Sequence, residues 1–248
     1  MQRTYRSCPN EYLKGIFMPI NGFNKTTLLD YPGKIAATIF LGSCNFRCPF
    51  CHNSGLVLSP GEQPVIPTED VLKVLKKRQG ILEGVCITGG EPTLDKDIFC
   101  LIDRIKELGY PVKLDTNGSH PWILKKLINN KMIDMVAMDI KSSKESYARV
   151  AGSKHLDLKP ICESVDFLMS GSVPYEFRTT VVRELHTQED FRSIGNWLAG
   201  CSAYYLQAYK DSPEVIRPGF SSYSKRDLDY FCLILSRTIP AVYIRGID

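Results

Sequence analysis

From residue 35 to the C-terminus, short runs rich in β-branched residues alternate with longer amphipathic ones. This rhythm limits the fold more than any other feature of the chain. Strands are predicted over 35–41, 84–88, 112–115, 135–138, 175–182, 203–208 and 241–244. Helices are predicted between them over 68–77, 98–108, 121–130, 156–168, 188–198 and 225–237. The first helix opens on Thr68 as its capping residue, with Glu69 and Asp70 in the first turn. Val71, Leu72, Val74 and Leu75 give it one core-facing stripe. Gly109 stops the second. Strands that alternate with helices run parallel and are joined by right-handed crossovers. Six such units fall short of the eight of a closed barrel. The expected architecture is therefore a single α/β domain, a partial (β/α)6 TIM-like barrel, with a doubly wound open sheet as the alternative. In both, chemistry belongs at the C-terminal ends of the strands. Residues 1–21 read as a lead-in segment and 22–248 as one domain, with no low-complexity stretch or linker.

The first of these strands ends in Cys44-Asn45-Phe46-Arg47-Cys48-Pro49-Phe50-Cys51-His52-Asn53. Three thiolates on one short loop can hold three irons of a four-iron cluster and leave the fourth open to a small molecule. Three other readings compete. Cys48-Pro49-Phe50-Cys51-His52 has the form of a c-type haem attachment, but that needs export and leaves Cys44 idle. Structural zinc wants four ligands, typically in two separated pairs, and no second close pair exists. A redox dithiol of Cys48 and Cys51 again leaves Cys44 without a role. The other six of the nine cysteines are scattered, and most read as small buried hydrophobes.

The bulk numbers fit that reading. A chain of 248 residues, 44% hydrophobic and 23% charged, is long enough to bury a sizeable core. Its net charge of +4 comes from scattered lysines and arginines. That implies no nucleic-acid binding and is compatible with an acidic partner surface. No apolar run approaches a membrane span. The first residues lack a secretory signal, so reduced thiols in the cytoplasm are expected.

Further along, Thr88-Gly89-Gly90-Glu91-Pro92 follows the second strand, Asp115-Thr116-Asn117-Gly118 ends the third, and Asp139-Ile140-Lys141 ends the fourth. Taken singly, each has a plain reading: a turn, a second turn and a surface ion pair. Arg178 stands in an otherwise apolar strand run and needs an anionic partner if buried. The four histidines, His52, His120, His155 and His186, are scattered and suggest no acid–base pair.

On these residues the chain resembles the radical S-adenosylmethionine (SAM) enzymes. Within them it resembles the glycyl-radical-enzyme activases, and most of all the activating proteins of anaerobic ribonucleoside-triphosphate reductase. Thr27-Leu28-Leu29-Asp30-Tyr31-Pro32-Gly33-Lys34 supports the last step, since Tyr31 stands where pyruvate formate-lyase activases usually carry glycine. The resemblance spans roughly residues 22–208. It implies that Cys44, Cys48 and Cys51 bind a [4Fe-4S] cluster and that the backbone at Gly89, Gly90 and Glu91 holds the amino end of SAM. Asp115, Thr116, Asn117 and Asp139 would contact SAM or a monovalent cation, with Lys141 and Arg178 near the SAM carboxylate. Phe50 would pack on the adenine, His52 would lie beside the cofactors, and Gln207 would line the adenosine pocket.

The reaction so implied begins with one electron from a reduced flavodoxin or ferredoxin. SAM is cleaved to methionine and a 5′-deoxyadenosyl radical, which takes a hydrogen from a glycine of a partner glycyl-radical enzyme. The alternatives are a radical SAM enzyme acting on a small molecule, in the manner of 7-carboxy-7-deazaguanine synthase, and an iron–sulfur electron-transfer module.

Overall fold

The computed structural model describes residues 19–247; Cys8 and most of the expected lead-in lie outside them. Eight strands form one sheet: β1 (Ile20–Thr27), β2 (Ala36–Leu41), β3 (Gly84–Gly89), β4 (Val112–Thr116), β5 (Met135–Asp139), β6 (Tyr175–Val181), β7 (Tyr204–Ala208) and β8 (Val242–Arg245). Their spatial order is their order in sequence. β1 pairs antiparallel with β2, and every later pairing is parallel. The order never reverses, so the doubly wound alternative, which needs a switch point, does not apply. β1 and β8 are the two ends of the sheet. This is the open, partial TIM-like barrel expected from the alternation.

The helices are α1 (Ser54–Leu58), α2 (Thr68–Lys77), α3 (Ile98–Glu107), α4 (Pro121–Asn129), α5 (Tyr147–Val150), α6 (Lys159–Met169), α7 (Gln188–Trp197) and α8 (Lys225–Leu235). None is long and apolar enough to cross a membrane. Ile39, Ile87, Leu114, Val136, Phe177 and Leu206 share one core with Val71, Leu75, Ile102, Ile105 and Leu124 of the helices. Strand side chains alternate between faces. Neighbouring positions therefore send Thr38, Cys86, Lys113, Asp115 and Arg178 to the opposite face, the hollow of the partial barrel.

Two local expectations are corrected. Thr68 is the first residue of α2, not its cap; Pro67 precedes it, and the Pro67 carbonyl accepts from Asp70 N at 2.9 Å. β1 was not predicted. Its sequence, Ile-Asn-Gly-Phe-Asn-Lys-Thr-Thr, has no apolar alternation, because an edge strand exposed along its middle has little to bury. Of the cysteines outside the loop, Cys86 and Cys201 are buried, as expected of small hydrophobes, while Cys162 and Cys232 are half-buried.

The loop after β5 is anchored from below. Thr187 and Asp190 cap α7 reciprocally, and the Asp190 carboxylate also accepts from the Ser143 hydroxyl at 2.6 Å and the Ser142 hydroxyl at 3.4 Å. Asp190→Ala removes a cap and strands two buried hydroxyls. It is expected to lower stability by about 2 kcal/mol, read as a shift in the denaturant midpoint; a shift of a few tenths would show that the anchor is dispensable.

Candidate active site

One cavity, of about 260 Å³, opens where the strands end. The cysteine loop supplies Cys44, Cys48, Phe50, Cys51 and His52 to its wall. β3 adds Gly89 and, just beyond, Gly90; β4 adds Asp115, Thr116 and Asn117; β5 adds Asp139 and, past its end, Lys141. Arg178 comes from β6 and Gln207 from β7. Residues more than 160 positions apart in sequence thus meet in one hollow. Glu91 is the exception among the expected residues, as it does not line the cavity.

Glu91 sits beneath the floor, 1% exposed. Its carboxylate accepts from the Thr116 hydroxyl at 2.8 Å, Asn117 N at 2.6 Å, Thr93 N at 3.0 Å and the Thr93 hydroxyl. Burial pushes its carboxyl up, and these four donors oppose that shift. Its role in the structure is to tie the end of β3 to the end of β4.

The paired glycines serve packing as much as openness. A Cβ on Gly90 would lie 1.9 Å from the Ser43 carbonyl oxygen, and one on Gly89 would lie 2.3 Å from Leu41 O. Gly89 also has φ +120, a conformation that only glycine adopts without strain. The backbone of this turn therefore presses directly on the cysteine loop, joined to it by Gly90 N to Leu41 O and Glu91 N to Ser43 O, both 2.8 Å. Asn53 donates to the Gly89 carbonyl at 2.9 Å and closes the same junction from the loop's far end.

Other backbone bonds hold the cysteine loop on both flanks. Arg47 N reaches Ala151 O at 2.9 Å, Ile216 N reaches Cys51 O at 3.1 Å, and Arg217 N reaches Pro49 O at 2.8 Å. Burial pushes the Cys48 thiol up to about 12 and raises that of Cys44. Cys44 Sγ accepts from Phe46 N at 3.4 Å and from the Asn117 amide at 3.9 Å. Among the described residues, no three His, Cys, Asp or Glu side chains are grouped to hold a single metal ion. Three soft thiol donors on one cavity wall, with no fourth cysteine among the described residues that line it, suit a cluster held by one thiolate per iron.

The same cavity holds a charge network. Asp115 pairs with Lys113 and with Arg178 Nη2 at 3.0 Å; Asp139 pairs with Arg178 Nε at 2.5 Å and Lys141 Nζ at 2.9 Å. Lys113, 1% exposed, was not anticipated from sequence; its only signal is a lysine two residues before Asp115 in a buried strand. Burial, the largest single influence, would raise both aspartates, but Arg178 together with Lys113 at Asp115 and with Lys141 at Asp139 outweighs it and holds them below the usual carboxylate range. Burial would lower Lys141, yet Asp139 raises it. The lining residues Arg178 and Lys141 balance Asp115 and Asp139; with Lys113 buried behind them the network as a whole carries one positive charge in excess and suits an anionic group such as a ligand carboxylate.

The model of the radical SAM superfamily matches residues 38–198, from β2 through α7. A provisionally named glycyl-radical enzyme activating enzyme of Methanocaldococcus jannaschii is 34% identical over 195 residues, 77% of this chain and 80% of that one. A provisionally named GTP 3′,8-cyclase of Saccharolobus islandicus is 31% identical over 159 residues, 61% of this chain but 48% of the cyclase. Among solved structures, Streptococcus suis SuiB bound to S-adenosylmethionine aligns at a TM-score of 0.64 and 16% identity, over 83% of this chain and 49% of that one. HydG of Carboxydothermus hydrogenoformans aligns at a TM-score of 0.57 and 13% identity, over 86% and 54%. At those identities the likeness is one of fold. The chain spans about half the length of the cyclase and of both solved structures.

Arg178 is the shared partner of both aspartates. A carboxyl held below its unfolded value stabilises at any pH above that value, near 4 for a free carboxylate, and the gain is lost only as pH falls through the lower, folded value. Asp115 and Asp139 should therefore not move the denaturation midpoint between pH 7 and 5. Arg178→Met is expected to cost about 3 kcal/mol at pH 7, the low end for breaking a buried pair because Asp139 stays partly exposed. Its two aspartates should then titrate higher and recover stability as they are protonated toward pH 5. A variant with the wild-type midpoint and pH profile would show that the network carries no energy.

Proposed function

Because the chain belongs to the radical SAM superfamily, we propose that it is an activase that places a glycyl radical on a partner enzyme, an anaerobic ribonucleoside-triphosphate reductase. The observation that carries this reading is the near-equal coverage of the activase-named relative, 77% of one chain and 80% of the other. Motif chemistry agrees. Cys44, Cys48 and Cys51 are the residues that would hold a [4Fe-4S] cluster, and the cluster with SAM would supply one-electron reductive cleavage and hydrogen-atom abstraction.

The protein's own part is placement. Lys141 and Arg178 offer the positive wall for the SAM carboxylate. The Gly89–Gly90 backbone fixes where an amino group can approach, and Phe50 and Gln207 flank room for the adenosine. The aspartates and cations of the wall are all engaged with one another, which leaves no carboxylate free as a general base. Hydrogen-atom abstraction needs none; it needs close approach with water excluded. A monovalent cation at Asp115, Thr116 and Asp139 would share carboxylate oxygens with Lys113, Arg178 and Lys141. A flavodoxin or ferredoxin would deliver the electron.

The cyclase relatives favour a second reading, radical SAM chemistry on a small molecule such as a nucleotide. One experiment separates the two. The chain is reconstituted anaerobically with iron and sulfide, then incubated with SAM, reductant and either a purified anaerobic reductase or GTP. The activase reading expects a glycyl-radical doublet by electron paramagnetic resonance, formed only with the reductase. Cys48→Ala should reduce radical and methionine release at least ~1000-fold, to background. SAM-dependent turnover of GTP without a radical on the reductase would replace this reading with the second.

A further inference from the structure

Past β5 the chain must leave the sheet and still aim Lys141 into the cavity. Three consecutive carbonyls are held there, each by a side chain from a different element. Asp139 O accepts from the Tyr147 hydroxyl of α5 at 3.3 Å, Ile140 O from the Thr179 hydroxyl of β6 at 2.5 Å, and Lys141 O from His186 Nε2 at 2.8 Å. All three donors are buried. Beyond them, Ser142 and Ser143 turn down to Asp190.

His186 is the informative member. Each ring nitrogen faces a carbonyl, Nε2 that of Lys141 at 2.8 Å and Nδ1 that of Val182 at 3.2 Å; the shorter contact assigns the hydrogen of the neutral ring to Nε2, and Nδ1 then accepts from Val182 N at 3.1 Å. The neutral ring satisfies both nitrogens at once. It stacks on Phe191 with ring centroids 6.0 Å apart, and its own carbonyl accepts from the Tyr223 hydroxyl at 2.7 Å. Burial lowers its pKa, in keeping with the neutral form. His186 is fully buried and does not line the cavity. Its direct link to a cavity-lining residue is the bond to the Lys141 carbonyl.

We propose that His186 is a positioning residue. Its Nε2–H bond to the Lys141 carbonyl fixes the chain path that presents the Lys141 ammonium to the carboxylate of bound SAM. This rests on the reading of Lys141 as a SAM contact given above. The ammonium is fixed at its tip by Asp139 and at its root by His186. Without the root, the lysine keeps its charge and its Asp139 partner but loses its single location, and a cation acts on a ligand carboxylate only from the right place.

The test compares His186→Leu, His186→Gln and Lys141→Met in the full chain, reconstituted with iron and sulfide. SAM affinity by equilibrium dialysis, iron content and thermal midpoint are measured for each. Both His186 variants lose the ring and should lose similar thermal stability. Only glutamine keeps an N–H that can reach the Lys141 carbonyl. His186→Leu should weaken SAM binding about tenfold with iron content unchanged, and His186→Gln should restore it to within about threefold. In the Lys141→Met background, His186→Leu should add little, because the two act on one interaction.

Equal weakening by Leu and Gln, or additive losses with Lys141→Met, would reduce His186 to a packing residue and overturn the proposal. Unchanged affinity in His186→Leu beside a weakened Lys141→Met would also overturn it. Unchanged affinity in Lys141→Met would instead remove the premise that Lys141 meets SAM, and the proposal with it. If leucine prevents folding, His186→Asn, one methylene shorter and unable to span the gap, takes its place in the comparison with glutamine.

Discussion

Asp115 and Asp139 lie at the ends of neighbouring parallel strands, and Arg178 is the partner they share. Two carboxylates pointing into one hollow repel each other, and burial penalises both. A guanidinium is planar and always charged, and its fork can meet two carboxylates from different directions. Arg178 does so through Nε to Asp139 and Nη2 to Asp115. The ends of β4 and β5 are thereby tied to the middle of β6 by one side chain, and register follows: Asp139 is the direct cross-strand partner of Arg178. With Lys113 and Lys141 added, the network is positive without being unpaired. That is the state in which a buried charge cluster can await an anion and remain folded meanwhile.

A second constraint is steric and acts at the cysteine loop. The turn after β3 lies so close to the cysteine loop that a single methyl group on Gly90 would enter the Ser43 carbonyl. Glu91 then continues the contact downward, joining that turn to Thr116 and Asn117 at the end of β4. The loop that carries the thiols and the strand ends that carry the charges are therefore one braced body. This alters what the Gly-Gly-Glu-Pro stretch means. Its glycines were expected to let a ligand approach the backbone. They also let one part of the backbone approach another, and its acid works as a brace below the cavity floor.

The parts of the structure that were legible in sequence share one property: each is encoded by residues adjacent in the chain. β2 to β8 fall within a residue or two of their expected ends, because each is a short run rich in β-branched or aromatic residues between helix-forming stretches. The cysteine spacing and the three acidic strand ends were likewise visible. What was hidden depends on partners distant in sequence. β1 has no pattern of its own and is defined by its pairing with β2. Lys113 looks like an ordinary strand lysine until Arg178 and Asp115 are seen beside it. Glu91 could be placed at the site but not above or below its floor. His186 gave no local signal, because its importance lies in a carbonyl 45 residues away.

The region matched by the superfamily model ends in α7, whereas the site does not. Gln207 of β7 lines the cavity. The segment after it returns to the cysteine loop, where Ile216 N and Arg217 N donate to Cys51 O and Pro49 O. Tyr209 packs against the His52 ring, with centroids 5.5 Å apart. Tyr223, at the far end of the same segment, holds the carbonyl of His186, which in turn holds Lys141. A stretch outside the shared core thus bonds the cysteine loop directly near residue 216 and reaches Lys141 through His186 near residue 223.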